Sequence, residues 1–252
     1  MDAQSVEAQS VEAQSVAAGI EAELRAVGTP ERAAGSKRYL KSDLDFLGAT
    51  VPQVRAAAKR AVAPLDHAGL LSVVEALWAA PVFERRLAAA LALEARPDLL
   101  EPTDLDSIER LIRDSRTWAL VDVLAGGVVG RLLLRHPASA DELDRWAIDD
   151  DFWVRRSALL ALLKPMKQAG LPLDRFLRYA DAMLDEKEFF IRKAIGWVLR
   201  EEGARRPVEV AAWLRTRTHR ASGVTMREAV KHLPAGDRDA LMAAHKGRRS
   251  LS

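Results

Sequence analysis

Apolar and small residues recur along most of the chain at the three- and four-residue spacing of a helix face. No stretch alternates apolar and polar residues for long enough to predict a sheet. The helical segments are separated by Pro, Gly or Asp, so the pattern predicts an all-α protein. A first helix is predicted from near Val16 to Ala26. The others are predicted near residues 30–43, 52–62, 68–79, 83–95, 103–113, 117–134, 139–147, 152–166, 173–184, 188–203, 207–216, 224–233 and 236–246.

A longer repeat underlies this helical pattern. An arginine opens a helix at intervals of 30 to 39 residues, and small and aliphatic residues follow it each time. Such a pattern is typical of stacked helix pairs, because one pair cannot bury its apolar face alone. We therefore predict a HEAT-like helical-repeat solenoid, an α-α superhelix of about six helix pairs with a concave face. The repeat arginines are Arg55, Arg85, Arg116, Arg155, Arg192 and Arg227.

The ends of the chain differ from the repeat region. Residues 1–17 carry a five-residue repeat, AQSVE, that fits no helical or strand period, and we predict a poorly ordered, low-complexity extension. A single repeat domain is predicted over residues 18–246, followed by a tail over 247–252. The chain shows no signal peptide pattern and no apolar run of membrane-spanning length, which predicts a cytoplasmic protein without membrane contact.

Charge is unevenly distributed although the net charge is only +2. Residues 1–36 carry a net charge of −4 and residues 186–252 a net charge of +7. A basic C-terminal region suggests a polyanionic partner, and the alternative is a solvated charged surface. The chain has no cysteine and its five histidines are scattered, so neither a metal site nor a cofactor is predicted.

Candidate chemistry centres on the helix that contains Trp118 and Asp122. Because these residues are four apart, they share one helix face. A carboxylate in so apolar a helix is either functional or a buried cap for a neighbouring helix. Trp197 lies at a similar place in the second helix of another helix pair. Two indole faces and a carboxylate suit a flat cationic group such as an alkylated purine, which leaves the sugar as a neutral base and needs no general acid.

The concave face is also the predicted site of DNA binding. The repeat arginines, including Arg227, would contact phosphates without sequence preference, and so would basic side chains near them, such as Arg86, Lys193 and Lys231. The alternative is that the repeat arginines form salt bridges between neighbouring repeats.

Several stretches of the chain resemble the bacterial DNA alkylation-repair glycosylase family of the AlkD type. The similar stretches are RYLKSDLDFLG (38–48), SRTWALVD (115–122), WAIDDDFWVRRSALL (146–160), EKEFFIRKAIGWVLRE (186–201) and REAVKHL (227–233). The resemblance implies a HEAT-like fold and hydrolysis of the N-glycosidic bond of 3-alkyladenine and 7-alkylguanine in base excision repair. It further implies that the lesion stays stacked in the duplex rather than entering a pocket.

The resemblance also assigns residue roles. It implies catalytic roles for Trp118, Asp122 and Trp197, and contacts with DNA for Arg156 and Tyr39. The chain departs from the family pattern at Thr117 and Ala119, where the family has Trp and Asp. These departures leave the matched catalytic positions intact.

Three functions remain open from the sequence. The first is a monomeric glycosylase whose partner is duplex DNA with alkylated bases, located at the nucleoid when bound. The second is a non-catalytic HEAT-repeat protein that binds damaged or branched DNA. The third is a protein scaffold without a nucleic-acid role.

Overall fold

The computed structural model describes residues 3–249, and the side chains of residues 7–247 within that range. Every regular element in these residues is helical, apart from a single bridge between Asp45 and Val82, so the predicted all-α class is confirmed. The helices are α1 (Ala3–Val27), α2 (Pro30–Leu40), α3 (Val51–Val62), α4 (His67–Trp78), α5 (Phe83–Ala95), α6 (Leu105–Arg113), α7 (Trp118–Asp122), α8 (Gly130–Arg135), α9 (Glu142–Trp146), α10 (Phe152–Ala161), α11 (Leu163–Gln168), α12 (Asp174–Ala182), α13 (Phe189–Gly203), α14 (Pro207–Arg215), α15 (Gly223–Ala229) and α16 (Ala235–Arg249).

The N-terminal repeat differs from the poorly ordered extension expected over residues 1–17. From residue 3 it forms the first part of α1, which runs without a break to Val27. The reason is that its third copy joins an apolar stripe with helical spacing, whose members are at most 4% exposed. The stripe consists of Ala13, Ala17, Ile20 and Leu24.

The helix predicted over residues 117–134 is not continuous. It consists of α7, a π-helical segment over Val123–Val129, and α8. Similarly, the helix predicted over 152–166 ends at Ala161, and α11 begins at Leu163. Periodicity alone does not distinguish a π-helical turn from the α-helix on either side of it.

The chain divides by its internal contacts into two compact units, Met1–Pro137 and Ala138–Ser252. The single domain expected over residues 18–246 and its concave face therefore stay predictions. In the first unit α3 and α4 pack on α5, and α5 packs on the π-helical segment. In the second unit α10 packs on α9, α12 and α13, and α13 packs on α14 and α15. Such contacts between nearby helices are what stacked repeats require.

Arginines tie the end of one repeat to the end of the repeat before it. In the first unit Arg96 donates to the carbonyl of Leu65 at 2.8 Å, and Arg135 donates to that of Leu100 at 2.9 Å. In the second unit Arg206 donates to the carbonyl of Leu171 at 2.8 Å. These carbonyls lie in the segments that connect helices, where the backbone has no helical partner.

Ion pairs connect repeats at a similar spacing. Arg217 pairs with Asp181 at 2.7 Å, and Arg175 pairs with Asp141 at 2.7 Å. Several repeat arginines also form ion pairs, which confirms for them the alternative of structural salt bridges. Arg55 pairs with Glu94 over 39 residues and Arg155 with Glu186 over 31 residues. Arg85 pairs with Glu21 over 64 residues, a longer separation.

Gly196 sets the closest approach between α13 and α15. A Cβ atom at this position would lie 2.7 Å from the Cβ of Glu228 and 2.9 Å from the carbonyl oxygen of Thr225. Glu228 and Thr225 are themselves buried, so neither has room to withdraw. Any side chain here would force the two helices apart.

We expect the substitution Gly196→Ala to lower the free energy of unfolding by about 1–3 kcal/mol, the usual cost of forcing extra volume into a packed interface. The measurement is urea unfolding followed by circular dichroism. Gly19→Ala is the control, because Gly19 is exposed on α1 and no atom lies within 4 Å of an added Cβ. The control should be neutral or slightly stabilising. Equal stability of the two variants would contradict the close approach.

Candidate functional site

The backbone before α7 has a conformation that fixes where Trp118 begins the helix. Arg116 has a φ of 55°, in the left-handed region that a non-glycine residue rarely adopts. Its Nη1 lies 3.1 Å from Oδ2 of Asp43, which holds the side chain across the turn. Thr117 is then extended, and its Oγ1 accepts a hydrogen bond from the N–H of Ala119. The N-cap therefore places Trp118 as the first residue of α7.

Tyr39 and Trp118, two of the residues predicted from the sequence, are in contact. Their ring centroids are 5.9 Å apart and their planes meet at 79°, an edge-to-face arrangement. Tyr39 is 73% exposed near the end of α2, and Trp118 is half-exposed. The contact limits the orientation of the indole while leaving part of it accessible to a partner.

Asp122 is the last residue of α7, one turn after Trp118. The neighbouring Leu120 and Val121 are completely buried, whereas Asp122 is half-buried. Whether Asp122 caps a neighbouring helix or acts in catalysis stays a prediction. The structure brings Trp118, Asp122 and Tyr39 into one region of the first unit.

The π-helical segment begins directly after Asp122 and packs against α5. A Cβ atom at Gly127 would lie 2.9 Å from Oε1 of Glu94, so the glycine makes room for this carboxylate. Glu94 is held in turn by Arg55, whose Nη1 donates to its Oε2 at 2.5 Å. Single π-helical turns often occur at functional sites. The sequence analysis missed this feature, and the pair Gly126–Gly127 was its signal.

Arg156, which the resemblance assigns to DNA contact, is 3% exposed on α10. Its Nη1 donates to the carbonyl of Phe190 at 2.5 Å, and its guanidinium carbon lies 5.9 Å from the centre of the Phe190 ring. Its visible role is to connect α10 with the start of α13. A contact between Arg156 and a phosphate stays a prediction.

Trp197 and Lys193 lie one turn apart on α13. Trp197 is half-exposed. It belongs to the second unit, so its approach to Trp118 and Asp122 stays a prediction. Lys193 donates from Nζ to Oε2 of Glu228 at 2.7 Å.

Glu228 on α15 is the centre of a basic cluster that the sequence analysis missed. Its side chain is 5% exposed, and Lys193, Lys231 and Arg200 all form ion pairs with it. Burial raises the pKa of Glu228, but the hydrogen bonds from Lys193 and Lys231 and the charges of Lys193 and Arg200 outweigh it and lower the pKa to about 2. Arg200 also pairs with Glu201 at 2.8 Å, so three cations face two carboxylates and the cluster keeps an excess of one positive charge.

Arg86 shows that not every basic residue near the repeat arginines faces a partner. It is 4% exposed, and it donates from Nη2 to Oδ2 of Asp114 at 2.8 Å. Asp114 also accepts from Nε1 of Trp78 at 3.1 Å. The expectation that Arg86 contributes to a cationic surface is therefore wrong, because its charge is used inside the first unit.

Two general properties bear on the kind of site. Within residues 3–249, no three His, Asp or Glu side chains gather where they could hold a metal ion. In the same part of the chain, no helix combines the length and the apolar character that crossing a membrane requires.

Comparisons with known proteins agree with this architecture. The family model described as DNA alkylation repair enzyme matches residues 20–233. No curated protein matches the chain. A solved structure from Enterococcus faecalis, described as a predicted DNA alkylation repair enzyme, is similar with a TM-score of 0.75 and 23% identity over 82% of this chain and 97% of that one. AlkD2 from Streptococcus mutans is similar with a TM-score of 0.60 and 15% identity over 74% of this chain and 91% of that one. The predicted HEAT-like helical-repeat fold is thereby confirmed.

We expect Glu228→Gln to reduce stability in a pH-dependent manner. A folded pKa of about 2, against 4.5 when unfolded, stabilises the fold above pH 4.5, and this stabilisation is lost as the pH falls towards 2. The difference in unfolding free energy between wild type and variant should be about 3 kcal/mol at pH 7 and about half that at pH 3. Urea unfolding between pH 7 and pH 3 measures it.

The control for this experiment is Glu209→Gln, since Glu209 is an exposed carboxylate on α14 of the same unit. Its stability should follow the wild type at every pH. A Glu228→Gln variant whose deficit does not change with pH would contradict the assignment of Glu228 as the ionised centre of the cluster.

Proposed function

The chain belongs to the DNA alkylation repair enzyme family, and we propose that it is a DNA glycosylase for cationic alkylated purines in duplex DNA. The substrates would be 3-alkyladenine and 7-alkylguanine, removed in base excision repair while the base stays stacked. The observation that carries the proposal is the half-exposed pair of Trp118 and Asp122, one helical turn apart on α7.

The chemistry requires little of the protein because the leaving group already has a positive charge. When the bond between C1′ and the ring nitrogen breaks, its electron pair moves to the base and the base departs neutral. Positive charge then develops on the sugar, where a nearby carboxylate stabilises it electrostatically. Water bonds to C1′ and releases a proton to solvent. Asp122 is the carboxylate in position for this role, and it would also orient the water.

Trp118 would contact the deoxyribose as positive charge develops. The face of an indole ring attracts cations through its quadrupole. Its edge-to-face contact with Tyr39 keeps the ring from rotating away, so the preorganisation exists before DNA binds. We also propose a catalytic role for the indole of Trp197, which is half-buried on α13.

The basic cluster of the second unit supports duplex DNA as the partner. Lys193, Lys231 and Arg200 surround Glu228, and Arg200 also pairs with Glu201, which leaves one positive charge uncompensated. Such a cluster attracts phosphates regardless of base sequence. We propose Lys193, Lys231, Arg227, Arg156 and Tyr39 as DNA contacts, with the protein acting as a monomer.

We expect Asp122→Asn to reduce release of base from a duplex carrying 7-methylguanine by about a hundredfold or more, the usual effect of removing one preorganised electrostatic group. Binding of the same duplex should change little, because Asn keeps the shape of Asp and removes only its charge. Chromatography of the released base gives the rate, and fluorescence anisotropy gives the affinity.

Asp106→Asn provides the control, because Asp106 is an exposed carboxylate on α6 of the same unit. It should leave both measurements unchanged. Undiminished release by Asp122→Asn would contradict the catalytic role of Asp122. Duplex binding without any release by the wild type would instead favour the non-catalytic protein for damaged or branched DNA.

A further inference from the structure

The second unit contains a cavity of about 580 Å³, and its lining includes Arg227, which is already proposed as a DNA contact. It is formed by the start of α13, the turn between α14 and α15, the first part of α15, and His245 on α16. Three arginines and two histidines line it, and none of its lining residues is acidic. A lining of this composition is suited to an anion.

Arg192 contributes an anchored guanidinium to this cavity. Its Nε donates to the carbonyl of Glu186 at 2.6 Å, which fixes the plane of the group. Neither terminal nitrogen has a partner among the residues that the structure describes. Two parallel N–H groups of a fixed guanidinium match two oxygens of a phosphate.

Arg227 contributes a second cation from α15. It is exposed, and in the described part of the chain it has no hydrogen bond or ion pair. Its distance from Arg192 is constrained because Oγ1 of Thr225 donates to the carbonyl of Arg192 at 3.1 Å. That bond connects the start of α15 to the start of α13. The two arginines therefore line one cavity from helices held at a fixed separation, and the unbonded Arg227 side chain is able to turn towards a ligand.

Arg220, the third arginine of the lining, is already neutralised. It pairs with Asp181 at 2.8 Å and with Asp185 at 2.7 Å. The uncompensated charge of the cavity consequently comes from Arg192 and Arg227. Two such cations suit a single phosphate group better than a polycarboxylate of higher charge.

His245 adds an unused hydrogen-bonding group. It is 6% exposed, and its Nδ1 lies 2.8 Å from the carbonyl oxygen of Thr218, which can only accept, so the proton is on Nδ1. Nε2 is buried and has no partner among residues 3–249. Unpartnered buried nitrogen atoms are uncommon in folded proteins.

We propose that this cavity is a phosphate-ester site that takes a backbone phosphate of DNA, with Arg192 and Arg227 as its ligands. The inference that the phosphate belongs to DNA rests on the proposed function, whereas the inference that the site binds a phosphate ester rests on the cavity alone. The site would be an additional anchor for the duplex and would not touch the reacting sugar.

The test compares Arg227→Gln with wild type in binding an unmodified duplex between 50 and 300 mM salt. One lost phosphate contact should lower affinity about tenfold. It should also reduce the slope of log affinity against log salt by about 1. Arg192→Gln should have the same effect.

Lys167→Gln is the matched control, because Lys167 is an exposed cation of the same unit on α11, outside the cavity lining. Because Arg227 makes no bond within the described chain, its variant should unfold like the wild type.

Thymidine 5′-monophosphate distinguishes the two possible sources of phosphate. If it binds wild type but not Arg227→Gln while duplex affinity is unchanged, the site takes a free monoester and the DNA assignment is overturned. If Arg227→Gln changes neither duplex nor monophosphate binding, the phosphate site itself is overturned. A reduced salt slope in Arg227→Gln supports the phosphate site even if the protein releases no base. The two proposals, phosphate site and glycosylase, can therefore fail independently of each other.

Discussion

The structure depends above all on guanidinium groups that donate to backbone carbonyls one repeat earlier. The segments that connect helices leave backbone carbonyls without partners in regular structure, and each needs a donor where water is removed from it. Arg96, Arg135 and Arg206 donate to such carbonyls across 31 to 35 residues. Arg96 also donates to the carbonyl of Val62, the last residue of α3, where its positive charge opposes the negative end of the helix dipole. The spacing of the arginines along the sequence therefore reflects the spacing of the repeats in space.

The candidate site lies where regular α-helical geometry is interrupted. The left-handed Arg116 turns the chain immediately before α7, and the π-helical segment begins immediately after Asp122. Such irregularities cost free energy unless the surrounding structure supports them. Arg116 pairs with Asp43, and Glu94 lies against Gly127. The six residues from Thr117 to Asp122 are thus bounded by an irregular segment on each side. A site bounded in this way suits catalysis by preorganised electrostatics.

The sequence was sufficient for the features that follow from local periodicity. It predicted the all-α class, the repeat interval and the shared face of Trp118 and Asp122. It did not predict the φ of Arg116 or the π-helical segment, because both result from contacts with residues distant in sequence. The cluster around Glu228 was missed for the same reason, since Lys193 is 35 residues away. The N-terminal repeat is helical because residues of its last copy are buried against other helices. A five-residue period does not indicate such packing.

Net charge and phosphate contact are separate consequences of the basic residues. The C-terminal part of the chain is strongly basic, yet Arg206 is committed to a carbonyl, and Arg217 and Arg220 are committed to Asp181. A paired cation still adds to the long-range field that attracts a polyanion. A bidentate contact, by contrast, needs a guanidinium whose terminal nitrogens are not already donating. Composition therefore predicts that a polyanion approaches, and the pattern of hydrogen bonds predicts that Arg192 and Arg227 are where it touches.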